Sequence, residues 1–152
     1  RHAFGFAGVP SGAVNELATR FAELGISITS TVPIGNIIMP ITTLHEHGVK
    51  VELGTDSLTD HWSPFGNGDN LEKAGRLAEL YHHVDEYSLS QSLGYITGGI
   101  TPLDKKGNQV WPKIGDFANL VFVDASCSAE AIARRAQRRI VLFEGNIVSG
   151  SF

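Results

Sequence analysis

Val49-Lys-Val-Glu-Leu-Gly-Thr-Asp-Ser-Leu-Thr-Asp-His-Trp-Ser-Pro-Phe-Gly-Asn-Gly68 is the stretch on which the reading of this chain turns. Val49, Val51 and Leu53 alternate with Lys50 and Glu52, the period of two that a pleated strand imposes. Gly54 and Thr55 end the strand and hand the chain to Asp56. The segment that follows is rich in Gly, Pro, Asp and Asn, yet it carries Trp62 and Phe65. Large aromatics in a loop must cover their rings with something, often a ligand or a pocket wall. An acid at a strand end followed by an aromatic loop is where α/β enzymes place their chemistry.

Upstream of that stretch, Arg1 to Phe6 reads as a strand end running into a loop at Gly5 and Gly8, which puts His2 at a strand terminus. Pro10 and Ser11 start a helix, with Ser11 as candidate N-cap. Val14, Leu17, Ala18, Phe21 and Leu24 form its apolar stripe, and Gly25 stops it. Ile26 to Val32 is rich in β-branched residues and reads as a strand, and Pro33, Gly35 and Asn36 mark a loop. Pro40 suits the first turn of a short helix through His47, closed by Gly48.

Downstream, Asp69 can cap a helix in which Leu71, Ala74, Leu77, Ala78, Tyr81 and Val84 recur at helical spacing. A further helix is predicted over Ser88 to Thr97. Alternating strands and helices are the signature of parallel βα units. Near Gly98 the pattern changes to a turn-rich, mobile surface segment through Asn108. Phe117 to Val123 then reads as a strand and Ser128 to about Arg138 as a helix. Ile140 to Phe143 and Asn146 to Val148 form a hairpin around Glu144-Gly145. Residues 1–98 are thus expected to form an α/β part and residues 99–152 a β-rich tail beside it.

The 152 residues, 42% hydrophobic and 18% charged, suit one domain able to bury a core. A net charge of −4 offers no attraction for nucleic acid or an anionic membrane. Arg134, Arg135, Arg138 and Arg139 cluster in a helical register and read as a solvated helix face. The single Cys127 excludes an internal disulfide and a cysteine-rich zinc site, and it reads as an inert small residue. No apolar run reaches the roughly 20 residues of a membrane helix, so the cytoplasm is the expected compartment. The chain opens at Arg1 already in the middle of an element, so it is expected to be part of a longer protein.

Two residues stand where chemistry is expected. Asp56 is either a carboxylate that ligates a divalent metal and takes a proton from its water, or a turn acid, and spacing does not choose between them. His2 is either its partner, as ligand or orienting base, or a structural histidine. His61 lies in the aromatic loop within reach of a pocket. His45 and His47 fall on a helix, where a spacing of two sends them apart, and His82 and His83 sit at a helix end as surface groups. Phosphate-cradling glycine loops, a Gly-x-Ser-x-Gly elbow and a cysteine-ligated deaminase signature are all missing.

Arg1-His-Ala-Phe4, Gly54-Thr-Asp56, Asp60-His-Trp-Ser-Pro-Phe-Gly-Asn-Gly-Asp69 and Gly115-Asp-Phe-Ala-Asn-Leu-Val-Phe-Val-Asp124 occur in this order. Together they resemble the C-terminal part of the amidohydrolase superfamily, in its cytosine deaminase and triazine aminohydrolase branch. The Asp-x-Trp-x-Pro-Phe-Gly element is the specific part of the likeness.

The resemblance implies a (β/α)₈ TIM barrel with an added β-sandwich, of which this chain would supply barrel strands six, seven and eight and the sandwich tail. It implies that His2 is the strand-six histidine beside the metal and Asp56 the strand-eight aspartate, both ligand and general base. Trp62 would be the aromatic that covers the substrate ring. The implied cofactor is a divalent metal, zinc or else iron. The implied substrate is a small cyclic compound whose amine-bearing ring carbon is attacked by metal-activated water. The family's His-x-His pair and its strand-five histidine are not among these residues, so the remaining ligands must come from the rest of the barrel or another copy of the chain. The rival expectations are a catalytically incomplete α/β module that binds a partner or oligomerises through an open sheet edge, and a small sugar- or nucleotide-binding domain.

Overall fold

Ser11–Glu23 forms the first helix, α1, and Ile28–Ser30 the first strand, β1. The computed structural model describes residues 6, 8–35, 38–59 and 64–151. It continues with α2 (Ile41–Glu46), β2 (Val51–Leu53), α3 (Asn70–Leu80) and α4 (Glu86–Ser92). A 3₁₀ turn at Leu93–Tyr95 is followed by β3 (Leu120–Val123), α5 (Ser128–Arg134), β4 (Arg138–Phe143) and β5 (Asn146–Gly150). The chain divides into two compact units, Arg1–Lys73 and Ala74–Phe152, with the division falling inside α3.

In the first unit β1 and β2 pair in parallel, Ile28 opposite Val51 and Ser30 opposite Leu53, with α2 in the connection between them. The predicted alternation holds: Val51 and Leu53 are buried and Glu52 between them is not. Val14 and Ala18 of α1, Ile41 and Leu44 of α2 and Val49 join them in the core. Two expectations are corrected. Pro10, not Ser11, occupies the cap position of α1, because the extended ψ of 143° at Pro10 turns the chain into the helix one residue early. Leu17 and Leu24 stay 40% and 64% exposed, so only part of the α1 stripe is covered.

The Asp69 carboxylate accepts from the Leu71 N–H at 2.8 Å, which places it as the cap of α3, as its side chain predicts. Residues 71–75 are all buried, so the first turns of α3 are enclosed on every side and not along one stripe. Glu72 and Lys73 are enclosed with the rest and form an ion pair at 3.5 Å.

In the second unit α4 begins at Glu86, not Ser88, because the Asp85 carboxylate caps it by accepting from the Ser88 N–H at 3.0 Å. The helix tightens to 3₁₀ geometry at Leu93–Tyr95, where Gly94 weakens helical preference, and so stops before the expected Thr97. α4 packs on α5, and a 2.8 Å hydrogen bond joins Ser90 to Ser128. The arginine cluster is not a helix face. α5 ends at Arg134, Arg135 turns left-handed (φ 51°), and Arg138 and Arg139 lie on β4. The turn at Arg135 lets the chain bury Ala136 and Ile140. Arg135 pairs with Glu79 at 2.8 Å and Arg139 with Asp124 at 2.7 Å.

Between the 3₁₀ turn and β3 the chain is rich in turns. Asp104 organises this segment by accepting from the N–H groups of Lys106 (2.8 Å) and Asn108 (2.9 Å). The tail is an antiparallel sheet in the order β3-β4-β5. Its last hairpin turns on Glu144 and Gly145, at φ 49° and 79°, the mirror-image turn whose twist matches that of the flanking strands.

Candidate functional site

Because β1 and β2 run parallel, the segments that follow them leave from the same end of the pair. Both segments start with a residue forced into the left-handed region. After β1 it is Val32, buried at 2% exposure with φ 51°, and after β2 it is Asp56 with φ 56°. A β-branched residue avoids that region, so Val32 is held there by its surroundings. The buried Ser30 hydroxyl does part of this. It accepts from the Val32 N–H at 3.1 Å and points its own hydrogen at the Met39 sulfur, 3.7 Å away.

Asp56 is exposed, and its carboxylate makes no hydrogen bond or ion pair among the described residues. An oxygen pair in that state can take a divalent cation. It is one donor only, and the described residues hold no group of three or more His, Cys, Asp or Glu placed for a metal. The segments after the two strands expose large apolar side chains, Ile34 and Ile38 after β1, Leu58 and Phe65 after β2, alongside the hydroxyls of Ser57 and Thr59. A single uncommitted carboxylate with a few hydroxyls and exposed apolar side chains is the composition of a pocket rim for an uncharged ring.

The other expected residues divide into two sets. His2, His61 and Trp62 lie outside the described residues. His45 is exposed on α2, whereas His47 places Nδ1 2.8 Å from the Thr43 carbonyl oxygen and is committed to its own helix. His82 is exposed, as expected of a surface group. His83 is not a plain surface residue: it is half-buried, and Nδ1 lies 2.9 Å from the Ser92 hydroxyl. Burial lowers its pKa below the ordinary histidine value, partly offset by the nearby Asp85 carboxylate. Cys127 is exposed and caps α5, its sulfur accepting from the Glu130 N–H at 3.5 Å.

Two hollows lie elsewhere, about 490 Å³ against α1 at Glu16, Arg20 and Glu23, and about 350 Å³ between Tyr87 and Asp104. Both are open, with no buried carboxylate or histidine in their lining, and neither includes a residue from the strand ends. Sequence reasoning passed over Leu58 and the two glycines of Gly66-Asn-Gly68 that close against it. Their only sequence signal was the glycine spacing itself.

Parallel βα pairing followed by an antiparallel sheet makes the chain an α/β protein, and its structural neighbours are amidohydrolase barrels. N-isopropylammelide isopropylaminohydrolase from Burkholderia multivorans matches with a TM-score of 0.77 at 28% identity, covering 95% of this chain and 37% of that one. 5-Methylcytosine deaminase from Klebsiella pneumoniae, liganded with 5-fluorocytosine, matches with a TM-score of 0.72 over 95% of this chain and 38% of that one. At 20% identity the second likeness is one of fold. By sequence, the uncharacterized protein YahJ of Escherichia coli is 53% identical over 150 residues, 99% of this chain and 33% of YahJ. N-isopropylammelide isopropyl amidohydrolase of Pseudomonas sp. (strain ADP) is 29% identical over 154 residues, 97% of this chain and 36% of that protein. The sequence model of the amidohydrolase family matches residues 7–149.

The chain belongs to the amidohydrolase family, hydrolytic enzymes that are generally metal-dependent. It spans about a third of the length of the curated relatives it matches. No helix among the described residues is long and apolar enough to cross a membrane.

Proposed function

We propose that this chain is the C-terminal part of a (β/α)₈ amidohydrolase that hydrolyses a C–N bond of a small cyclic, amine-bearing substrate. β1 and β2 serve as barrel strands seven and eight, and His2 ends strand six. Residues 1–98 belong to the barrel and 99–152 to the sandwich segment, a division by architecture, whereas compactness divides the chain after Lys73. The observation that carries the reading is Asp56: an exposed, uncommitted carboxylate just past the C-terminal end of a parallel strand. Family membership favours this over a partner-binding module or a sugar-binding domain.

The role of each residue follows from its chemistry. A divalent ion, zinc or iron, would supply the acidity of the attacking water when bound. Asp56 would help hold that ion and would accept the proton of the attacking water. The same carboxyl group then passes the proton to the departing nitrogen, so that ammonia or an amine leaves in place of a poor anionic leaving group. His2 orients the water as a ligand or a hydrogen-bond partner. Trp62 lies against the substrate ring and excludes solvent from that face.

Asp56→Asn tests the proposal in the full-length polypeptide that carries this sequence, with cytosine and N-isopropylammelide as probes. The amide cannot take a proton, so kcat should fall by about 10²- to 10⁴-fold. The side chain is exposed, so the melting temperature should stay close to wild type. Near-normal turnover would remove Asp56 from the chemistry.

A further inference from the structure

Two anchors, one on each side of Asp56, account for its backbone. On the strand side, Gly54 donates its N–H to the Ser30 carbonyl at 3.0 Å, which pins the end of β2 to β1. On the loop side, Gly66 lies directly against the Leu58 peptide: a methyl group there would overlap the Leu58 carbonyl oxygen and come within 2.9 Å of the Ser57 carbonyl oxygen. Gly68, at φ 75°, lies against one end of the Leu58 side chain, which is otherwise 58% exposed, and a methyl there would come within 2.6 Å of Cδ2. Leu58 is therefore gripped at its backbone by one glycine and at its side chain by the other. Only Thr55, Asp56 and Ser57 bridge the two anchors.

Asp visits the left-handed region most readily when its own carboxylate bonds the local backbone. Asp56 has no such bond, yet its φ is 56°. The ends of the bridge supply a cause. A chain pinned to β1 at Gly54 and to the returning loop at Leu58 has to reverse its curvature in three residues, and Asp56 is where it does so. Past Gly68 the chain enters the Asp69 cap of α3, so the grip also ties the site to the start of that helix.

We propose that Leu58, clasped between Gly66 and Gly68, is a positioning residue: the clasp holds Asp56 left-handed and so fixes the direction of its carboxylate at the strand end. This rests on the reading of Asp56 as the site carboxylate. A side-chain displacement of about 1 Å can cost a reacting group on the order of a hundredfold in rate, so a device that fixes direction is worth having.

The test uses the full-length polypeptide, zinc as the probe, and the Asp56 φ in crystals of each variant. Gly66→Ala should weaken zinc binding at least tenfold and move Asp56 out of the left-handed region. Gly68→Ala, whose methyl meets the end of the Leu58 side chain, should weaken zinc binding several-fold, and Leu58→Ala, which empties the side-chain half of the clasp, should weaken it by a similar factor. Wild-type zinc affinity with Asp56 still left-handed in Gly66→Ala overturns the clasp. If Gly66→Ala does not fold, Leu58→Ala decides, and wild-type zinc affinity with Asp56 still left-handed in that variant overturns the clasp. Asp56→Asn separates the two readings. If it binds zinc as tightly as wild type, the role of Asp56 fails, while the φ measured in the glycine variants still judges the clasp.

Discussion

His83 Nδ1 lies 2.9 Å from the Ser92 hydroxyl, and Ser92 already spends its own hydrogen on the Ser88 carbonyl at 3.0 Å. Ser92 can therefore only accept from the ring, which places the proton of neutral His83 on Nδ1 and leaves Nε2 as the nitrogen that titrates. Ser92 is fully buried and uncharged, so it offers an imidazolium no compensation for lost water.

A pH dependence follows. The folded pKa of His83 lies below its unfolded value, so between the two the unfolded chain binds more protons. The stability that depends on neutral His83 is present above the unfolded pKa of about 6.5 and is lost as pH falls through the folded one. Melting temperatures measured from about pH 7.5 to 5.5 should fall more steeply for wild type than for His83→Gln, which can still donate to Ser92. Parallel curves would count against it.

Trp62 is expected to cover the substrate ring. Loss of that stacking surface in Trp62→Ala should raise KM for cyclic substrates by about tenfold, the equivalent of roughly 1 to 1.5 kcal/mol of aromatic contact. Steady-state kinetics on the full-length polypeptide would show it, and an unchanged KM would refute the placement.

The β4–β5 turn carries a residue poorly suited to its backbone. Glu144 sits at φ 49° before Gly145, a position that Asn occupies at lower cost. Glu144→Asn should stabilise the protein by about 0.5 to 1 kcal/mol, part of the usual cost of a left-handed residue, and raise the melting temperature by a few degrees. The bond from the Glu144 N–H to Asn119, 2.7 Å, involves only the backbone at 144 and should survive. A lower melting temperature would show that the Glu144 side chain contributes something beyond the turn.

Much of the fold was legible because it obeys local rules. The alternation of Val49, Val51 and Leu53, the stop at Gly48, the cap at Asp69 and the Glu144-Gly145 hairpin all appear where the pattern puts them. The α4 boundary and the arginine cluster were misread because two solutions competed locally. Asp85 caps α4 and so starts it two residues before Ser88, and burial of Ala136 and Ile140 turned the chain before Arg138 could extend the helix. Of the candidate site, the position of Asp56 at a strand end was readable and its backbone conformation was not.

Sequence by itself determined where most of the helices and strands lie and that an acid follows the second parallel strand, since these depend on residues within a few positions of one another. Only the tertiary structure decided that Val32 and Asp56 are left-handed, that Glu72 and Lys73 are enclosed, and that Leu58 is gripped by two glycines. Those outcomes arise from contacts such as Ser30 with Met39 and Leu58 with Gly66, between residues eight or nine positions apart. At that separation the approach of one segment to another, not the local pattern, sets the backbone angle.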